Sequence, residues 1–146
     1  GMTGGELYAL IQAVLPQETF HWNLCPGHLT AEEEWLCSPI YAGPAEKLLS
    51  GMLIQLDIIP SLPGYAGTGC ENGIALADAT LRAAIRAEYP QMWQRMQERR
   101  QYMLHYLGIR LPEWVLPLSS GVAYLRPYLW DKQRALTYNH DEGECK

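Results

Sequence analysis

Three side chains with metal-binding or acid–base capacity stand where their surroundings give little structural reason for them. His28 closes a Pro-Gly-His turn, Asp57 interrupts the apolar run from Met52 to Pro60, and Glu71 opens a second apolar run. An imidazole with two carboxylates is a hard-to-borderline ligand set that suits zinc, manganese, iron or cobalt. Burying a carboxylate without compensation is costly, so Asp57 must meet a cation, a donor cluster or water. Two carboxylates brought together in a partly apolar place repel unless they share a proton or a metal. Spacing alone leaves a plainer reading open, in which Asp57 accepts backbone amides, Glu71 lies in solvent and His28 is a turn residue.

Alternation decides which way Asp57 looks. In a strand, Leu53, Gln55, Asp57 and Ile59 share one face, whereas Ile54, Leu56 and Ile58 share the other, which reads as core. If the segment after Glu71 pairs beside this strand, Glu71 can approach the Asp57 face. Residues 19–25, "TFHWNLC", also alternate, with Phe20, Trp22 and Leu24 opposed to His21, Asn23 and Cys25. His21, Asn23 and Gln55 are therefore candidates to line the same cavity. Cys25-x-x-His28 has chelating spacing, but one such pair without a second carries little weight. The acidic run Ala31–Glu34 reads as a solvated turn. The chain has no H-E-x-x-H, G-x-S-x-G, P-loop or G-x-G-x-x-G pattern, and no residue is assigned a catalytic role.

Composition narrows the classes. With 146 residues, 48% hydrophobic and 18% charged, the chain has the make-up of one globular domain with a real core. A formal net charge of −5, with basic residues clustered only at Arg95, Arg99 and Arg100, argues against nucleic acid as the main ligand. Four widely spaced cysteines make no C-x-x-C pair, so reduced thiols and a cytoplasmic setting are expected. No stretch is apolar for long enough to cross a bilayer, and no membrane partner is expected. Gly1 ahead of Met2 reads as a residue left by tag removal.

The elements that must position these groups follow from periodicity and punctuation. Thr3 and Glu6 fit a capping box, and Leu7, Leu10, Ile11, Val14 and Leu15 make one apolar helix face that Pro16 ends. A short helix is expected near Ala45 to Leu49. Met52 to Ile59, bounded by Gly51 and Pro60, reads as a central strand, and Gly73 to Leu76 as a shorter one. Asp78 can cap a helix with Leu81, Ala84 and Ile85 on its apolar face. A longer helix runs from about Gln91 to Leu107, with Met92, Met96, Met103 and Leu107 as its stripe and Arg99 or Arg100 among them. The proline-punctuated remainder holds one or two short strands, and "NHDEGECK" should be mobile.

Taken in order, "FHWNLCPGHLTAEEEWLCSPI", "LLSGMLIQLDIIP" and "CENGIALAD" resemble the C-terminal half of the catalytic domain of the creatinase, prolidase, aminopeptidase P and methionine aminopeptidase superfamily, the pita-bread metallopeptidases. In that superfamily a Gly-His turn supplies a metal-binding histidine, a strand after a Gly-Met pair carries an acidic ligand, and a last strand opens with a glutamate that bridges two metals. Gly27-His28, Asp57 after Gly51-Met52, and Glu71 stand at those places, over roughly residues 5 to 80. The resemblance implies His28, Asp57 and Glu71 as metal ligands and a divalent metal (Mn, Zn, Co or Fe) as cofactor, or none if the site is vestigial. The chain also departs from the pattern. No residue here matches the two aspartates of the family's N-terminal half, Asp57 replaces the usual glutamate, and "LTAEEEW" follows the histidine.

The expected fold is therefore α+β: a curved, largely antiparallel sheet with helices on one side, resembling half of a pita-bread domain. Residues 1–146 form one domain, with a creatinase-like core at 5–80 and a helical, proline-rich extension at 81–146. The expected function is a metallopeptidase-like domain with an incomplete metal site, not catalytic alone, acting in binding or assembly as a homodimer or beside a complementary half-domain. A peptide or small molecule is the expected ligand. Two alternatives stay open. One is a metal-dependent peptidase or C–N hydrolase whose aspartate ligands come from another chain or from trimmed sequence. The other is a non-metal interaction module that uses the abundant Trp and Tyr residues.

Overall fold

The apolar run with the misplaced carboxylate forms the centre of the architecture. A computed structural model describes residues 1–30, 36–65, 70–118, 133, 138–139 and 144–145 of the chain. In it the run becomes strand β2 (Leu53–Ile58), which lies between β1 (Gly27–Leu29) and β3 (Cys70–Leu76), while β4 (Val115–Pro117) pairs with the far side of β3. All three pairings are antiparallel. The result is an α+β fold around a four-stranded antiparallel open sheet. A separate two-stranded pair joins β5 (Tyr138–Asn139) to β6 (Glu144–Cys145). Gly51, at φ +95°, makes the turn that feeds β2, and its N–H donates to the Leu76 carbonyl at 2.8 Å.

Among the described residues four helices accompany the strands: α1 (Gly4–Val14), α2 (Gln17–Phe20), α3 (Ala79–Glu88) and α4 (Pro90–His105). The expected capping box closes α1. The Thr3 hydroxyl accepts from the Glu6 N–H at 3.1 Å, and the Glu6 carboxylate accepts from the Thr3 N–H at 2.7 Å. The Thr3 backbone N–H and then its hydroxyl hold the Glu6 carboxyl below its ordinary pKa. That support is therefore present at neutral pH and is lost as the pH falls through the depressed value. Asp78 caps α3 through the Leu81 N–H at 2.8 Å, and Pro90 occupies the first turn of α4, where its missing N–H costs nothing.

The core lies where α3 and α4 meet one sheet face. Ala75, Ala77, Met96 and Leu116 are buried together, with Leu81, Ile85, Met92 and Trp93 against them. The long helix touches the edge strand β4. Arg100 settles an ambiguity of the sequence: it, not Arg99, is the buried arginine of the stripe. Its Nη1 donates to the Pro112 and Val115 carbonyls at 2.6 and 2.8 Å, and its Nη2 to that of Leu111 at 3.0 Å. One guanidinium thus fastens the turn before β4 to α4. On the opposite sheet face Ile54 is buried and Ile40 packs towards Gly27 and Leu56. The N-terminus of α1 sits on the Pro39–Pro44 stretch, so α1 meets the sheet through that segment.

Three local expectations are corrected. Residues 19–25 are not a strand. The Trp22 indole N–H donates to the Leu15 carbonyl at 2.8 Å, and the Gln17 amide donates to the Trp22 carbonyl at 2.8 Å. These bonds draw the chain back onto α1, with His21 and Leu24 at φ 51° and 67°. The segment near Ala45–Leu49 is not a helix, because its backbone is committed to the N-terminus: Lys47 bridges Thr3, and the Leu48 N–H donates to the Met2 carbonyl at 3.0 Å. The apolar stripe of α1 is only partly covered, with Leu10 and Val14 exposed. The terminal "NHDEGECK" has Asn139, Glu144 and Cys145 in the β5–β6 pair, and its other residues lie outside those described.

A methyl group at Gly4 would overlap the Pro39 carbonyl. Gly4→Ala should therefore lower stability by about 1–3 kcal/mol in urea unfolding, even though alanine in an exposed helix gains about 1 kcal/mol over glycine. A gain would show that α1 does not rest on Pro39. Arg100→Ala leaves three carbonyls without their donor and should cost about 3 kcal/mol in the same measurement.

Candidate functional site

The register brings the chemistry-bearing residues to one face of the sheet. Gln55 lies opposite both His28 on β1 and Gly73 on β3, and Asp57 lies opposite Glu71. Directly opposed residues of antiparallel strands project to the same side, so His28, Gln55, Asp57 and Glu71 share the face that continues into Ala75 and Leu116.

The backbone bonds show how closely the carboxylates approach. The Asp57 N–H donates to the Pro26 carbonyl at 3.2 Å, towards β1, and the Gly73 carbonyl accepts from the Leu118 N–H at 2.8 Å, towards β4. The pairs Asp57–Glu71 and Gln55–Gly73 are therefore of the non-hydrogen-bonded kind, in which facing side chains lie nearer. Gly73 offers no side chain, and Gln55 leans across that gap: its Nε2 donates to Glu71 Oε2 at 3.4 Å. A Cβ at Gly73 would stand 3.4 Å from Gln55 Oε1.

Burial divides the residues. His28 and Asp57 are 4% and 9% exposed, and Asp57 Oδ1 is sealed from solvent, whereas Glu71 is exposed. His28 Nδ1 stands 3.2 Å from the Leu29 carbonyl. A carbonyl only accepts, so in that contact Nδ1 is the donor. Backbone anchoring of this kind orients histidines that ligate metals. The donor types therefore suit a divalent cation, but their placement does not. Among the described residues, no three His, Cys, Asp or Glu side chains converge closely enough to hold a metal ion.

The remaining candidates lie elsewhere. His21 and Asn23, proposed as cavity-lining neighbours of Gln55, are exposed on the irregular segment after α2. Cys25 is a half-buried free thiol ahead of β1 and joins no cluster of three ligating side chains. The acidic run Ala31–Glu34 lies outside the described residues. Sequence reasoning missed the role of Ser38, whose hydroxyl donates to the Gly27 carbonyl at 2.6 Å and accepts from the Ile40 N–H. Together with the Leu29 N–H donating to the Cys37 carbonyl, this covers the outer edge of β1 beside His28. A serine two residues before a buried isoleucine gives no such signal in sequence.

No helix among the described residues is long and apolar enough to cross a membrane. Comparison of the chain with family models, curated proteins and solved structures finds no match.

Like charges placed directly across a sheet are destabilising, by roughly 0.2–1 kcal/mol for such a pair. Glu71→Gln removes one of the two charges and keeps the shape. It should raise stability by that amount in urea unfolding at neutral pH, and a loss of stability would show that Glu71 has a favourable electrostatic role.

Proposed function

We propose that the chain is a metallopeptidase-like domain of the pita-bread kind, in which His28, Asp57 and Glu71 form an incomplete metal site. It is not catalytic alone and acts in binding or assembly. The observation that carries this reading is the shared sheet face: an imidazole and two carboxylates from three neighbouring strands, with Asp57 directly across from Glu71. Their order along the chain is the order of the ligand motifs in the superfamily that the sequence resembles.

The residues have distinct parts in this reading. Buried His28 and Asp57 give a fixed polar floor, and Gln55 steadies the exposed Glu71 at its open side. A divalent metal in a completed site would polarise a carbonyl and lower the pKa of a bound water. In the isolated chain the exposed Glu71 and the half-buried Gln55 offer an acceptor and a donor to a peptide or small molecule. The exposure of Glu71 also favours a second reading, a peptidase or C–N hydrolase completed by aspartates of another chain. The completing body would be a second copy or a complementary half-domain.

The test is an activity assay together with a mass measurement. With Mn²⁺ or Co²⁺ present, the purified chain should leave X-Pro dipeptides uncleaved and should sediment as a dimer. Cleavage by the chain alone that disappears in Glu71→Gln would overturn the non-catalytic reading. A strict monomer would remove the homodimer.

A further inference from the structure

A second polar site lies apart from the sheet face, on the helical side of the fold. Arg82 of α3, Trp93, Gln97, Arg100 and Gln101 of α4, and Glu113 of the turn before β4 line a cleft of about 320 Å³. That volume is in the range of small-molecule sites, which begin at roughly 300 Å³. Its lining carries two guanidinium groups and one carboxylate, an excess of one positive charge.

The single carboxylate is a weak counter-charge. Glu113 is 85% exposed and meets Arg82 Nη2 at 3.4 Å, longer than the 2.7–2.9 Å of a strong charge-assisted bond. Arg100 is buried and donates only to neutral backbone carbonyls. Burial pushes its pKa below the ordinary arginine value, Glu113 opposes that shift, and Arg82 adds to it. Arg82 spends one N–H on the Ala77 carbonyl at 2.9 Å and one on Glu113, of the five that a guanidinium carries. Positive charge in a partly desolvated cleft with unused donors attracts an anion.

The charge distribution of the chain points the same way. Between Ala79 and Leu118 six arginines (Arg82, Arg86, Arg95, Arg99, Arg100 and Arg110) stand against three glutamates (Glu88, Glu98 and Glu113). The long-range field therefore favours anions on the helical side.

We propose that this cleft binds a small monocarboxylate with a flat apolar body, the carboxylate on Arg82 in place of Glu113 and the body against Trp93. A planar guanidinium fork matches a carboxylate in two parallel bonds. The half-buried indole supplies an apolar wall with a preference for ring contacts. Inorganic phosphate has no apolar body to set against Trp93, so the indole wall favours the carboxylate with a flat ring.

Calorimetric titration of the full chain with benzoate, and separately with inorganic phosphate, tests the assignment. Benzoate should bind saturably. Arg82→Gln should weaken it about tenfold, the loss expected for one charge-assisted contact. Glu113→Gln changes an exposed side chain that leaves the fold undisturbed, and it should tighten benzoate several-fold by removing the competing carboxylate. The absence of saturable binding, binding insensitive to both substitutions, or tighter binding of phosphate than of benzoate would overturn the proposal.

Discussion

The β2–β3 register is the constraint on which the sheet face depends. A strand's side chains alternate, so a slip of one residue would send Gln55 and Asp57 to the apolar side and bring Ile54 and Leu56 to the polar one. Burial of Ile54 on one face and of Ala75 and Leu116 on the other forbids that slip. The hydrophobic pattern thereby fixes Asp57 across from Glu71 and Gln55 across from His28. The polar cluster is a consequence of packing the residues between it.

Two anchors hold this arrangement from outside. On the β1 side, Ser38 and Cys37 bond to the free edge and carry Ile40 onto the apolar face. On the β4 side, Arg100 donates to the Leu111, Pro112 and Val115 carbonyls and ties α4 to the sheet. The guanidinium is costly to bury, and three carbonyl acceptors offset that cost. The same burial leaves positive charge beside Arg82, so the brace of the helical side also shapes the cleft there.

Much of the fold was legible because its signals are local. The capping box at Thr3 and Glu6, the cap at Asp78, Pro90 at a helix start, and the strand bounded by Gly51 and Pro60 each need only a few neighbouring residues. The shared face of His28, Asp57 and Glu71 follows from alternation once neighbouring strands pair. What was not legible depends on distant partners. The alternation in "TFHWNLC" is overridden by Trp22 bonding back to α1, and the stretch near Ala45–Leu49 pairs with the N-terminus instead of coiling. Periodicity is blind to both. It also could not choose between Arg99 and Arg100, because that choice belongs to the carbonyls of a turn more than ten residues away. The separation of the ligating groups was equally beyond it, since a shared face sets direction and not convergence.

Nuclear Overhauser contacts reach the decisive pairing most directly. In a non-hydrogen-bonded antiparallel pair the two α-protons face each other, so Asp57 and Glu71 should show a strong Hα–Hα contact, and so should Gln55 and Gly73. Contacts linking Asp57 instead to Cys70 or Asn72 would place the carboxylates out of register and contradict the shared polar face.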